Sequence, residues 1–268
     1  MASYSDGIFE IRNVTVIESE TVIKTANMSS KPETESFEIF TIREHIMSKA
    51  MWTGALKRSN MSDQLMFCNT ANGAHARWIT NPHTPALFKI WDEILVNAVD
   101  HVQGLKQSSA THCVTQIDVT LASDGQFQVV NNGPGIPVVV HAIATETNRL
   151  AGRHTPVYVP EVAFGWELSG SNLTKTENNS VKAGVNGIGA KLANIHSMYF
   201  EVETIDTNAQ LHYWQRFENR LANINVPTVK SETVRPDQAF TRITFMPAYA
   251  ALDYPDGPSE FLTEFIGW

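Results

Sequence analysis

The sequence predicts an α+β fold in which helices pack on one face of a mixed, mainly antiparallel sheet. Three observations support this fold class: a long amphipathic helix begins at Pro85, a β-hairpin follows it, and three strand-like segments lie in the last third of the chain. Because helical and strand segments are grouped along the chain, we expect separate layers of helices and strands.

The composition of the 268 residues is that of an ordinary folded protein, with 43% hydrophobic and 18% charged residues. A formal net charge of −8 excludes a uniformly basic nucleic-acid clamp, although not a local basic patch. Two cysteines, Cys68 and Cys113, exclude a disulfide framework and a cysteine-based zinc site. With no secretory signal and no apolar stretch of membrane-spanning length, we expect an intracellular protein that is not secreted and has no membrane partner.

Residues 1–36 differ from the rest of the chain. Short β-branched stretches lead into a polar run at residues 25–36. This composition predicts an N-terminal arm and linker, although a frayed terminus would have the same composition. From residue 37 onward the chain becomes denser in apolar residues, and we expect residues 37–268 to form one domain.

The first regular element that the pattern predicts clearly is the helix that begins at Pro85. Proline suits a first helical turn, because its missing N–H has no partner there in any case. Apolar residues at helical spacing predict the core face: Leu87, Ile90, Ile94 and Ala98. A second, polar stripe follows the same period: Lys89, Glu93, Asn97 and Asp100.

The next element is a β-hairpin within residues 115–133. Apolar residues alternate with polar ones on both sides of an Asp124-Gly125 turn, which is the pattern of two half-buried strands. Further strands are predicted in the segments SMYFEVETI, LHYWQRFE and FTRITFMPAY. These strands and the hairpin together supply the sheet of the predicted α+β fold.

Two residues of the polar helix stripe carry groups suited to phosphate chemistry. Glu93 and Asn97 are one turn apart and therefore share a face of the helix. A carboxylate and an amide oxygen in this arrangement are able to position a water molecule and hold a hard cation beside phosphates. A solvated helix face with a capping amide has the same residues, so the pair alone does not decide between the two.

Two turns rich in glycine add to this pattern. Residues 131–135 (NNGPG) are able to place an amide side chain at the floor of a pocket, although a simple tight turn also explains them. Residues 184–191 (GVNGIGAK) begin a helix and would let backbone N–H groups approach an anion. This segment is not a Walker A loop, because Leu192 stands where serine or threonine is required. A plain glycine-rich turn remains the alternative.

Taken together and in this order, the E-x-x-x-N helix and the two turns resemble the Bergerat-fold (GHKL) ATPases. The segments IWDEILVNAVDH, NNGPGIPVVVH, YVPEVAFGWELSGSN and GVNGIGAKLANIHS narrow this resemblance to one branch. They are similar to the N-terminal ATPase domain of eukaryotic and large-DNA-virus type II DNA topoisomerases, over roughly residues 37–249. The resemblance implies that residues 37–268 form a GHKL sandwich that uses ATP and Mg²⁺.

The resemblance also implies roles for individual residues. Glu93 is implied as the general base that activates the attacking water, and Asn97 as the Mg²⁺ ligand within the ATP site. Asn132 is implied as the residue that contacts adenine. The other implied ATP-binding residues surround the ribose and the phosphates: Ser171, Asn172, Asn186, Gly187, Gly189, Ala190 and Lys191.

The implied mechanism is a gate that closes on ATP. Two copies are expected to form a homodimer, exchange their arms and pass DNA through the full enzyme. The resemblance places the transducer, TOPRIM and DNA-cleavage domains beyond this sequence. We therefore expect an ATPase portion that does not cleave DNA alone and that works with downstream domains or a separate topoisomerase subunit. Its location would be the nucleus, or a cytoplasmic virus factory if the chain is viral.

Two other functions remain open at this point. The first is a stand-alone GHKL module that binds ATP with little turnover. The missing transducer lysine favours this function, whereas the intact Glu93 and Asn97 argue for hydrolysis. A different GHKL branch, such as a mismatch-repair ATPase, would share the three motifs. The segment YVPEVAFGWELSGSN argues against that second alternative.

Overall fold

The computed structural model describes residues 39–58, 64–70, 73–79, 83–107, 113–167, 169 and 187–258, with the backbone alone for 64–70, 73–79, 106 and 107. In chain order, the elements are α1 (Ile42–Ser48), β1 (Gln64–Thr70), β2 (Gly73–Ile79), α2 (Pro85–Gln107), β3 (Ile117–Leu121), β4 (Phe127–Asn132), α3 (Ala142–Leu150), α4 (Val159–Gly165), α5 (Gly189–Ile195), β5 (Ser197–Asp206), β6 (Leu211–Glu218), β7 (Asn223–Ile224), β8 (Thr228–Ser231) and β9 (Phe240–Pro247). The predicted arm, residues 1–36, lies outside the described residues.

Seven strands form the main sheet, in the order β3-β4-β9-β5-β6-β7, and β8 also pairs with β6. Helices α2, α4 and α5 form a layer against it, so the predicted α+β fold is confirmed. Every strand pair of this sheet among the described residues is antiparallel, in agreement with the predicted mainly antiparallel sheet. The hairpin of β1 and β2 forms a separate two-stranded sheet that the sequence pattern did not predict.

Helix α2 buries the apolar stripe that its periodicity predicts: Leu87, Ile90, Ile94 and Ala98. Within the helix layer, α2 packs along α5, and its inner face contacts β4 of the sheet. Trp91 extends the buried stripe and stacks on Phe127 of β4, with ring centroids 5.6 Å apart. No helix in the described part of the chain is long and apolar enough to cross a bilayer.

Aromatic rings continue from Trp91 across the inner face of the sheet. Phe127 contacts Phe245 of β9 at a centroid distance of 5.1 Å, and Phe245 stacks on Phe200 of β5 at 5.8 Å. Phe200 in turn contacts Phe164 of α4 at 5.7 Å. Because each aromatic pair adds about 0.5–1.5 kcal/mol to the burial of its area, this line binds the two layers together.

Helix α4 is anchored to the sheet by a buried polar network. The fully buried Glu161 carboxylate accepts hydrogen bonds from Arg153 at 2.6 Å and from Gln215 of β6 at 2.8 Å. The Gln215 amide oxygen accepts a hydrogen bond from the Tyr213 hydroxyl. Since a buried carboxylate is tolerated only when it is paired, these contacts fix α4 at one position over β6.

The outer face of the sheet carries ion pairs between neighbouring strands. Glu201 and Arg216 stand opposite each other on β5 and β6, with oxygen and nitrogen 2.7 Å apart. On the other side of β5, Glu203 stands opposite Arg242 of β9 and forms an ion pair with it. These side chains are half-buried, so the outer face is a solvated surface ordered by cross-strand pairs.

His196 lies in the interior, directly after α5, and is 1% exposed. Burial, assisted by the positive charge of Arg220, lowers the pKa of His196 from 6.5 to about 4. Between these two pH values the unfolded chain holds the proton and the folded chain does not. The stability of the fold therefore rises with pH across this window and falls on acidification.

We predict that His196→Leu flattens this dependence. In the unaltered chain the free energy of unfolding should increase by about 3 kcal/mol between pH 4 and 6.5 from this group alone. Urea unfolding at a series of pH values measures the slope. His154→Leu, which replaces an exposed histidine, is the matched control. An equal slope in the parent and in His196→Leu would contradict the assignment.

Candidate functional site

A cavity of about 230 Å³ lies between α2 and the inner face of β4 and β9. Its polar lining comes from Asn97 and His101 of α2, from Asn131 of β4 and from Thr241 of β9. The apolar lining consists of Ile94, Ala98, Val129, Ile136, Pro137, Phe164 and Ile243. A few polar groups in a largely apolar pocket are typical of a site that binds a small molecule.

The turn after β4 closes one side of the cavity. Gly135 lies so close to β5 that a Cβ atom there would stand 1.9 Å from the carbonyl oxygen of Ile205. The Ile136 N–H donates to the hydroxyl of Thr204 at 2.9 Å, and this contact holds the turn against β5. Glycine is therefore required at position 135 for the turn to reach the cavity wall.

The two asparagines at the end of β4 point in opposite directions. Asn131 is 5% exposed and lines the cavity. The Asn132 side chain instead accepts hydrogen bonds from the N–H groups of Thr115 and Gln116, both at 2.9 Å, and donates to the Thr115 hydroxyl. Asn132, the predicted adenine contact, thus closes the hairpin and does not line the cavity, whereas Asn131 does.

His101 faces Asn131 across the cavity wall. Its Nδ1 atom lies 3.4 Å from Nδ2 of Asn131. Burial lowers the pKa of His101 below its ordinary value, so the imidazole is neutral at physiological pH. The Asn131 Nδ2 group also donates to the carbonyl oxygen of Asn132 at 3.0 Å.

Glu93 lies one turn of α2 before Asn97 and reaches the start of α5. One carboxylate oxygen pairs with the Lys89 ammonium at 2.5 Å. This contact is the main reason that the pKa of Lys89 is raised. The other oxygen faces Gly189, where a Cβ atom would stand 1.8 Å from it. The structure therefore brings the E-x-x-x-N helix and the end of the GVNGIGAK segment into contact.

The other described site residues of this segment are Gly187, Ala190 and Lys191. Gly187 has a φ of +62°, a left-handed conformation that glycine adopts without strain. Ala190 and Lys191 are buried within α5, and the Lys191 ammonium donates to the carbonyl oxygen of Ser169 at 2.6 Å. Burial lowers the pKa of Lys191 to about 8, and the charge of Glu167 opposes this shift.

Three predicted site residues, Ser171, Asn172 and Asn186, lie outside the described residues. Of the described ones, Asn97 lines the cavity and Asn132 closes the hairpin. The others lie at or near the start of α5: Glu93, Gly187, Gly189, Ala190 and Lys191. Sequence reasoning missed Asn131 and His101 as cavity residues. Strand alternation would have found Asn131, because it is in phase with the buried Phe127 and Val129. His101 continues the four-residue spacing of Glu93 and Asn97, which was a signal for its position.

Comparison with known proteins finds relatives of one kind, the type II DNA topoisomerases. It is 39% identical over 226 residues to DNA topoisomerase 2 of African swine fever virus (isolate Pig/Kenya/KEN-50/1950), a match that covers 84% of this chain and 18% of that protein. It is 32% identical over 238 residues to DNA topoisomerase 2 of Candida albicans, covering 88% of this chain and 15% of that protein. The chain thus spans less than a fifth of these relatives. No protein-family model matches it.

A solved structure agrees with these relatives. The crystal structure of the ATPase and transducer domains of DNA topoisomerase II from Balamuthia mandrillaris matches with a TM-score of 0.71 and 30% identity, covering 84% of this chain and 52% of that one. The fold is therefore that of the GHKL ATPase domains. Within this class, the chain is related to the ATPase region of type II DNA topoisomerases, so the predicted resemblance is confirmed.

Proposed function

We propose that this chain binds and hydrolyses ATP as the nucleotide-operated gate of a type II DNA topoisomerase. The observation that carries the proposal is the contact between the two motif groups. Glu93 meets Gly189 at the start of α5, one helical turn from Asn97 in the cavity wall. A nucleotide with its base in the cavity would then place its phosphates beside the carboxylate and the glycine-rich segment.

In this proposal Glu93 is the general base. Its side chain is 20% exposed, so a water molecule is able to reach it, and its contact with Gly189 holds it beside the start of α5. A carboxylate that accepts a proton from the attacking water raises the rate of hydrolysis by about 10²–10⁴-fold. Lys89, which pairs with Glu93, keeps the carboxylate oriented in the absence of nucleotide.

Asn97 is the proposed protein ligand of Mg²⁺. The described residues contain no cluster of three or more histidine, cysteine or acidic side chains able to hold a metal alone. Mg²⁺ in nucleotide sites takes one or two protein oxygens, with the rest from phosphates and water, and a single amide oxygen fits this donor set. When bound, Mg²⁺ would offset the charge of the triphosphate.

Asn131 is the proposed adenine contact, in place of Asn132. The proposed ribose and phosphate contacts stay with the residues that the motifs indicate: Ser171, Asn172, Asn186, Gly187, Gly189, Ala190 and Lys191. Among these, Lys191 directs its ammonium to the Ser169 carbonyl, so it holds α5 to the chain segment after α4. A phosphate contact of Lys191 would need this hydrogen bond to be exchanged.

The proposal extends to partners. We infer that ATP drives homodimerisation, with residues 1–36 as the exchanging arm, and that DNA is acted on by the complete enzyme together with downstream domains or another subunit. A specific observation favours the alternative of an ATP-binding module with little turnover: the Lys89 ammonium already occupies one oxygen of the Glu93 carboxylate. The relatives are type II topoisomerases, so a mismatch-repair branch is not proposed.

Replacing the proposed base should separate hydrolysis from binding. In Glu93→Ala we expect turnover of Mg²⁺–ATP to fall about 10²–10⁴-fold, because water loses its proton acceptor. Binding of a non-hydrolysable ATP analogue, measured by calorimetry, should persist. Asp92 is the adjacent, more exposed carboxylate of α2, so Asp92→Ala is the matched control and should keep parental turnover. Parental turnover in Glu93→Ala would show that Glu93 is not the base.

Replacing Asn97, the proposed metal ligand, should weaken the binding of Mg²⁺–ATP. We expect Asn97→Ala to weaken Mg²⁺–ATP affinity about tenfold, the size of one lost charge-assisted contact. The same variant should bind ATP in excess EDTA as the parent does. A titration of Mg²⁺ at fixed ATP analogue makes this comparison. Identical magnesium dependence in the two proteins would remove Asn97 from this role.

A third variant tests the contact between the motif groups. Gly189→Ala places a methyl group where the Glu93 carboxylate now lies, so this flexible side chain must turn away. We expect ATP turnover to fall about 100-fold, since a misplacement of 1 Å has an effect of that size, with little change in melting temperature. The double variant Gly189→Ala/Glu93→Ala should lose nothing beyond Glu93→Ala. Additive losses would mean that Gly189 acts independently of Glu93.

A further inference from the structure

Two acceptors determine which way the Asn131 side chain amide is turned. Its Nδ2 atom lies 3.0 Å from the carbonyl oxygen of Asn132 and 3.4 Å from Nδ1 of His101. A carbonyl oxygen only accepts hydrogen bonds, so the amide atom that faces it is the nitrogen and not the oxygen. The Asn132 carbonyl oxygen thus determines which side of the Asn131 amide carries the nitrogen.

His101 completes the orientation. The amide nitrogen has two hydrogens, and the first is used by the Asn132 carbonyl oxygen. The second points to His101, whose Nδ1 atom must then be the unprotonated ring nitrogen with its proton on Nε2. The lowered pKa of His101 agrees with a neutral ring. Both donors of Asn131 are therefore engaged, one by the Asn132 carbonyl oxygen and one by His101.

The group left to face the cavity is the Asn131 amide oxygen. Asn131 is 95% buried and lines the cavity, and no donor within the described part of the chain bonds to this oxygen. We propose that His101 is a specificity-determining residue, which orients Asn131 so that the cavity presents an acceptor and selects 6-aminopurine over 6-oxopurine nucleotides. This inference rests on the proposed ATP binding and adds to it the residue that controls base selection.

The chemistry of the two base classes explains the selection. A 6-aminopurine presents an N–H donor at the position that meets the amide oxygen, and a hydrogen bond forms. A 6-oxopurine presents a carbonyl oxygen there, which leaves two acceptors facing each other in a water-poor cavity. Sites that hydrogen-bond one group reject analogues lacking it strongly, because a buried polar group is left unpaired. Removing the His101 acceptor leaves one amide N–H without its partner and weakens the preference for this orientation.

The test compares ATP with ITP. The base of ITP carries an oxo group where that of ATP carries the 6-amino group, and its neighbouring ring nitrogen, N1, carries a proton. Calorimetry with Mg²⁺ and non-hydrolysable analogues of both nucleotides gives the ratio of their affinities for the parent chain, His101→Leu and His101→Asn. We expect the parent to prefer the ATP analogue, and the preference to fall about fivefold or more in His101→Leu. His101→Asn restores an acceptor oxygen close to the Nδ1 position and should retain the preference. An unchanged ratio in His101→Leu would overturn the inference.

A measurement on the unaltered chain covers the case in which His101→Leu does not fold. Nitrogen NMR of the ¹⁵N-histidine-labelled protein, assigned with His101→Asn, reports which ring nitrogen of His101 carries the proton. We expect the proton on Nε2, and a proton on Nδ1 would contradict the inference. Failure of the parent to bind either analogue would instead refute the proposed ATP binding. The two failures are therefore distinguishable.

Discussion

The line of aromatic rings between sheet and helices is the packing constraint on which the rest of the structure depends. It runs from Trp91 of α2 through Phe127, Phe245 and Phe200 to Phe164 of α4. Rings that contact one another in a close-packed interior leave little freedom to slide. The distance and rotation of both helices relative to the sheet are therefore set by side chains that take no part in chemistry.

The candidate site follows from that packing. With its apolar stripe held on the core, α2 must direct the adjoining stripe toward the cavity and the start of α5. This places the Glu93 carboxylate against Gly189 and Asn97 in the cavity wall. The cavity floor comes from the same sheet, since Asn131 follows Phe127 and Val129 on the inner face of β4. Core and site are thus built on the same elements.

Much of the fold was predictable, because the spacing of apolar residues along the sequence shows which side chains of a helix or strand are buried. The 3.6-residue period located α2 and its core face, and alternation located β3, β4, β5, β6 and β9. The motif predicts a base contact at Asn132, whereas the alternation of β4 puts Asn131 on the cavity side of the strand. The Lys191 contact with Ser169 and the network around Glu161 were not predictable, since they join residues far apart along the chain through tertiary packing.

The ion pairs on the outer face of the sheet have a consequence for strand alignment. Alternation of apolar and polar residues forbids a slip of β5 by one residue, but it tolerates a slip by two. Either such slip against β6 moves Arg216 away from the position opposite Glu201 and so breaks the ion pair of the native register. The charges on the solvent side thus discriminate against a misalignment to which the hydrophobic core is indifferent, and they protect the order of the inner face on which the cavity is built.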